Sequence, residues 1–290
     1  MSLASLLQNS PTLFISLTGI LGLMLGSFLN VVIYRLPIMM EKSWRKQCHE
    51  FLEMDQPEAD QETFNLVLPA SRCPHCQTPI RPYQNIPVIS YLLLRGKCAH
   101  CHAPIAMRYP IIEACTGMAS AIVAWRFGFG YETLFALLLT WSLIALSAID
   151  IDHHLLPDDI TLPMLWLGLL LSLFSLYTTP EASIIGAIAG YMSLWTIYQA
   201  FKLLTGKEGM GYGDFKLLAL FGAWLGWQLL PVIILLSSLV GAVVGITMIV
   251  FMQHDHSKPI PFGPYLAAAG WLAMLWGDRI NQLYLQYTGM

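Results

Sequence analysis

The sequence predicts an all-α polytopic membrane protein of about eight transmembrane helices, carrying one small zinc-binding cytoplasmic insert. Three observations predict it. The chain is 56 % hydrophobic and only 11 % charged, where a soluble domain carries about 25 % charged residues. Its apolar residues gather into runs close to the 20 or so needed to cross a bilayer. Four of its six cysteines stand as two CxxC pairs inside one polar insert. Nine Trp and twelve Tyr supply material for interfacial belts. The net charge of −3 comes without a basic stripe, so no nucleic-acid partner is expected. The first apolar run lacks a basic leader and a small-residue cleavage site, which argues against a cleavable signal peptide.

Hydropathy places the spans at about residues 12–34, 108–127, 132–150, 160–178, 183–204, 214–228, 230–252 and 262–278. The sixth is short, and it joins the seventh closely. Of the 15 Lys and Arg, all but Arg126 and Arg279 fall on one face under this topology. By the positive-inside rule that face is cytoplasmic, and both termini are periplasmic. Three regions follow: a first transmembrane helix (1–35), a cytoplasmic insert (36–107) and a seven-helix membrane domain (108–290). The stretch Glu50–Glu62 is acidic and reads as a solvated loop.

Cys73-Pro-His-Cys76 and Cys98-Ala-His-Cys101 are separated by twenty-one residues. A two-residue spacer lets both sulfurs of a knuckle face one ion, and four thiolates complete a tetrahedron. A closed four-cysteine shell leaves no position for water, so the zinc is expected to be structural. His75, His100 and His102 read as surface residues of the knuckles. Cys48 and Cys115 are isolated.

Two carboxylates stand at the ends of apolar runs. Asp150 closes the run 134–149, and Asp214 opens the run 215–227 inside Gly211-Tyr-Gly213-Asp214. A charge at a membrane edge is costly and marks a functional site by default. Two that meet between helices suggest an aspartyl hydrolase, with the glycines allowing tight turns and close approach of a substrate strand. The competing reading is a pair of interfacial acids bonded to loop amides or to Lys207 and Lys216. Asp158, after Pro157 and before an apolar run, reads as a helix N-cap. Asp152 reads as exposed or as a support for Asp150. Asn30 is expected in an interhelical hydrogen bond more than as a polar contact lining a substrate groove, Arg35 as an interface anchor, and Glu113 in need of a partner, Arg108 or the substrate's amine.

With these residues assembled, the chain resembles the bacterial type IV prepilin peptidases, leader peptidases that are also N-methyltransferases. The resemblance runs through Gly26-Ser-Phe-Leu-Asn30, Tyr34-Arg35-Leu-Pro37, both CxxC pairs, Arg108-Tyr-Pro110 with Glu113, Asp150 to Asp158, the GxGD, and Pro261-Phe-Gly-Pro264-Tyr265. It implies that Asp150 and Asp214 are the catalytic pair. It also implies that the enzyme cuts type IV prepilins and type II secretion pseudopilins after a leader Gly, on the cytoplasmic side of the inner membrane. The new amino terminus, usually Phe, is then methylated from S-adenosylmethionine. Arg95-Gly96-Lys97 is the segment the resemblance associates with methyl transfer; on its own it reads equally as a tight turn with two solvated cations. A proton-coupled transporter would want acids near the bilayer midplane. A scaffold docking through its zinc knuckles would leave the GxGD unexplained.

Overall fold

A computed structural model describes residues 3–53, 64–252 and 261–288; most of the acidic stretch Glu50–Glu62 lies outside them. Among the described residues every named element is a helix, joined by turns and loops, and no strand is named. In chain order the helices are α1 (Leu3–Asn9), α2 (Pro11–Phe51), α3 (Ile89–Leu93), α4 (Arg108–Phe127), α5 (Tyr131–His153), α6 (Asp158–Ser172), α7 (Pro180–Thr205), α8 (Tyr212–Leu225), α9 (Leu230–Met252) and α10 (Gly263–Thr288). Each of the eight apolar segments read from the sequence is therefore a helix. Four are long and apolar enough to cross a membrane: Pro11–Phe51, Tyr131–His153, Pro180–Thr205 and Trp227–Thr247. The chain divides into two compact units, Met1–Trp141 and Ser142–Met290.

In the first unit, α2 packs along α4 through small residues. A Cβ on Gly22 would stand 2.3 Å from Ser120 Oγ, and one on Gly26 would stand 2.7 Å from the Glu113 Cα. Without side chains at those points the two backbones close up, which is how helices associate where lipid offers no hydrophobic drive. Asn30 extends the seam by donating from Nδ2 to the Tyr109 carbonyl at 3.2 Å, the interhelical bond expected of it.

α2 runs for 41 residues, about 60 Å, or twice the hydrocarbon thickness. The first apolar run ends near residue 34, but the helix does not. Downstream, Arg45 pairs with Glu41 at 2.6 Å and Lys46 with Glu50 at 3.9 Å, both at helical i,i+4 spacing. Arg35 is not an exposed interface anchor. It is buried, donates to the Asn65 carbonyl at 2.9 Å and the Pro69 carbonyl at 2.5 Å, and lies over the Phe64 ring.

The second unit is built around α8, the shortest of the apolar helices at 14 residues. Phe215 and every residue from Leu217 to Trp224 are buried, as expected of a helix apolar on all sides. α7 comes so close that a Cβ on Gly186 would stand 2.3 Å from the Gly222 carbonyl oxygen. On the other flanks, Trp224 covers Gly168 of α6 and donates to the Met164 carbonyl at 2.7 Å, while the Phe221 ring lies against Gly270 of α10. α8 spans only about 21 Å, which is why it reads as a short segment.

Candidate functional site

Asp150 lies one turn before the end of α5, and Asp214 is the third residue of α8. Both are buried, and Asp214 lies close enough to feel the charge of Asp150. Asp150 Oδ2 accepts a hydrogen bond from the Gly263 amide at 3.0 Å. Gly263 opens α10, so the carboxylate meets the positive end of that helix, while Asp214 sits in the first turn of its own. Both acids thus have a helix N-terminus to stabilise charge in a buried setting.

The turn between α5 and α6 fixes the spacing. The His154 amide bonds back to the Asp150 carbonyl at 2.9 Å, and the chain then buries Leu156. Leu156 is the wedge of the site: a Cβ on Gly213 would lie 2.8 Å from its Cβ, and one on Gly263 would lie 3.2 Å from its Cδ2. A Cβ on Gly263 would also stand 2.7 Å from Asp150 Oδ2. The last glycine of the GxGD therefore admits a leucine of the same chain, where the sequence suggested room for a substrate strand. Gly211 has an ordinary φ of −81° and open space around it.

Asp158 is not an N-cap. Pro157, with φ −57° and ψ 127°, takes that position, and Asp158 is the first helical residue of α6. Its carboxylate receives Lys216 Nζ on both oxygens, at 2.8 and 2.7 Å. Lys216, read as a possible partner of the aspartate pair, is thereby engaged elsewhere. Asp152, His153 and His154 are exposed. An amide partner belongs to the competing reading, and Asp150 has one, but sequence reasoning did not name Gly263 as its source. The Pro261–Pro264 motif marked the start of α10 correctly, but a backbone donor leaves no trace in residue identity.

In the first unit the four knuckle sulfurs of Cys73, Cys76, Cys98 and Cys101 lie within 4.8 Å of one another. Cys73 and Cys101 Sγ are 3.8 Å apart, too far for a disulfide of about 2.04 Å. The separation matches the edge of a tetrahedron with zinc–sulfur bonds of about 2.3 Å, which is about 3.8 Å. The two knuckles repeat one backbone pattern. Cys73 N–H bonds to the Thr78 carbonyl and Cys98 N–H to that of Ala103; Gln77 and His102 follow with positive φ and bond back to Cys73 and Cys98. Hydrogen bonds from the Thr78 hydroxyl and amide hold the Cys76 thiol at about 6, and amides of Cys101 and His100 lower that of Cys98. Cys101 is pulled down by the Ala103 amide, yet crowding by the other three thiols pushes it up to about 11. Four sulfurs in this space cannot all be thiolates without a cation among them. The donor set fits a structural zinc ion. His75, His100 and His102 are exposed and outside the cluster.

Arg95-Gly96-Lys97 forms a tight turn, with positive φ at Arg95 and Gly96. The Gly96 amide bonds to the Tyr91 carbonyl, and its own carbonyl accepts from Ile105 N–H. Glu113 is buried, and its partner is the Val88 amide, which donates to Oε2 at 2.8 Å.

Residues 20–127 match the bacterial peptidase A24 N-terminal domain, and residues 137–246 match the type IV leader peptidase family. The chain is 55 % identical over 282 residues to a prepilin leader peptidase/N-methyltransferase of Stutzerimonas stutzeri, covering 97 % of each. It is 54 % identical to one of Pseudomonas aeruginosa, over 100 % of this chain and 99 % of that one. A Legionella pneumophila protein of the same description is 42 % identical over 98 % of both. No solved structure matches the chain.

Proposed function

The chain belongs to the type IV leader peptidase family, and from that premise we propose that Asp150 and Asp214 form the water-activating pair of a prepilin leader peptidase. The enzyme is also the N-methyltransferase of the cleaved product. The observation that carries the site is the burial of two carboxylates in one unit, one within reach of the other's charge, with Asp150 held by the Gly263 amide. Two close carboxylates do not both ionise readily, so they share a proton. The ionised member takes a proton from water as it attacks the carbonyl after the leader glycine. The protonated member donates to the carbonyl oxygen and then to the leaving amine. The pair titrates as a unit, so either aspartate can hold the shared proton.

The substrates are type IV prepilins and type II secretion pseudopilins, cut at the cytoplasmic face of the inner membrane. On a reading of eight spans with both termini periplasmic, the aspartate end of α8 would lie at that face. In the region reading 1–35, 36–107 and 108–290, the insert carries a structural zinc held by Cys73, Cys76, Cys98 and Cys101. Zinc, when bound, locks the two knuckles together. S-adenosylmethionine supplies the methyl group for the new amino-terminal residue, usually Phe. Gly96 and the cations of Arg95 and Lys97, presented by their tight turn, are the candidates for holding the donor.

The test is incubation of the purified protein in detergent with a prepilin and S-adenosylmethionine, followed by mass spectrometry of the product, beside Asp214→Asn. Loss of the leader plus one methyl group, with no cleavage by the variant, supports the full reading. Failure of a folded, zinc-loaded wild type to cleave overturns it.

A further inference from the structure

We propose that the segment 86–93, between the two cysteine knuckles, is a lipid-docking element that enters the acyl boundary of the membrane. The observation is one of depth. α2 carries no charged residue before Arg35. Gly26 lies about 13 Å before Arg35 along the axis, and it is against Gly26 that the Glu113 Cα packs. The Val88 amide is bonded to the Glu113 carboxylate at 2.8 Å. Even with that side chain stretched about 5 Å toward Arg35, Val88 stands roughly one helical turn deeper than the first charge of α2. α3 starts at the next residue. On α4 the exposed Arg108 stands beside Tyr109, whose carbonyl Asn30 binds, so Val88 lies between the level of that cation and the apolar span around Gly26.

The composition of the segment suits the depth. From Ile86 to Leu94 only Ser90 and Tyr91 carry polar side chains. Ile89, Leu92 and Leu93 are 54, 67 and 78 % exposed on a helix of five residues that buries none of its own. α4 also carries exposed apolar residues, at Ile111 and Met118. Around the segment stand the exposed side chains of Arg81, Tyr83, Arg95 and Lys97, with Arg81 donating to the Tyr83 hydroxyl at 3.3 Å. Aromatic hydroxyls and cations around an apolar tip are what an anionic headgroup layer accepts. An element lying about 5–10 Å into the headgroup–acyl boundary behaves in this way. The partner is therefore bilayer lipid, with acyl chains against Leu92 and Leu93 and anionic headgroups at Arg81.

The test uses the full chain in phosphatidylethanolamine–phosphatidylglycerol vesicles containing a lipid with a photoactivated diazirine on its acyl chain. Adducts are mapped by mass spectrometry. The expected result is adducts on Ile89, Leu92 and Leu93 at frequencies within about threefold of those on Ile111 and Met118, and a fall of at least fivefold at residues 86–93 in Leu92→Gln/Leu93→Gln. Retained zinc reports that the variant's insert is folded. Adducts confined to the spanning helices, with residues 86–93 labelled instead by a water-soluble diazirine, overturn the proposal. Displacement of the lipid adducts by a prepilin peptide also overturns it, because the face would then belong to the substrate. None of these readings requires catalysis, so they stand apart from the fate of the peptidase assignment.

Discussion

The two units hold their functional groups by opposite means. Around Asp150 and Asp214 everything is packing: α8 is buried on all sides, glycines bring backbones into contact, and Leu156 is wedged between Gly213 and Gly263. Around the cysteines there is little core. Of the four, only Cys73 is buried, and order comes from two repeated backbone turns closing on four sulfurs. A carboxylate pair that is to share a proton must be fixed in distance and held away from bulk solvent, which a close-packed helix bundle does. A structural metal site needs only ligand geometry, since the metal bonds themselves supply folding energy.

The largest effect that separates the two is chemical. Asp150→Asn or Asp214→Asn should lower prepilin cleavage by about 10²–10⁴-fold or more, with bound zinc unchanged; product mass spectrometry and metal analysis report both. Cys73→Ser should act in reverse, lowering zinc content and opening residues 70–106 to limited proteolysis. If that region of the zinc-free variant resists protease as the wild type does, the metal is not what orders it. Gly222→Leu tests packing alone. It forces a side chain into the Gly186 carbonyl and should destabilise the second unit by more than the usual overpacking cost of about 1–3 kcal/mol, seen as a lowered thermal midpoint in detergent. Gly263→Ala is subtler, since its methyl group would press on Asp150 Oδ2. Cleavage should fall about tenfold while zinc and methyl transfer to a pre-cleaved pilin persist. Lys216→Met should do least. The ion pair with Asp158 is partly exposed, and such pairs contribute about 0–1 kcal/mol.

Much of this was legible in the sequence because the bilayer imposes simple rules. All eight apolar segments are helices, and several ends agree within two residues. The cysteine cluster follows from spacing, and the placement of Asp150 and Asp214 near helix ends from where the apolar runs stop and start. What could not be read is non-local. Asp158 looked like a cap because acids precede helices, yet Pro157 already supplies the extended backbone a cap requires. The carboxylate instead meets a lysine from another helix. Glu113 finds a backbone amide where a cation was expected. Arg35 is satisfied by loop carbonyls. Backbone donors and acceptors are the same in every residue, so no pattern of side chains announces them.

The buried apolar column of α8 that follows Asp214 has an electrical consequence. Two acids that trade a proton at a membrane surface are half of a proton channel, and the membrane potential would drive about 2.3 kcal/mol per charge at 100 mV through the other half. After Asp214, Phe215, Leu217, Leu218, Leu220 and Phe221 are fully buried and Trp224 nearly so. These side chains offer no relay, and Lys216 is tied to Asp158 at the same end of the helix. On the reading proposed above, in which Asp150 and Asp214 are the catalytic pair, the proton they exchange finds no relay along α8 and returns to the side it came from.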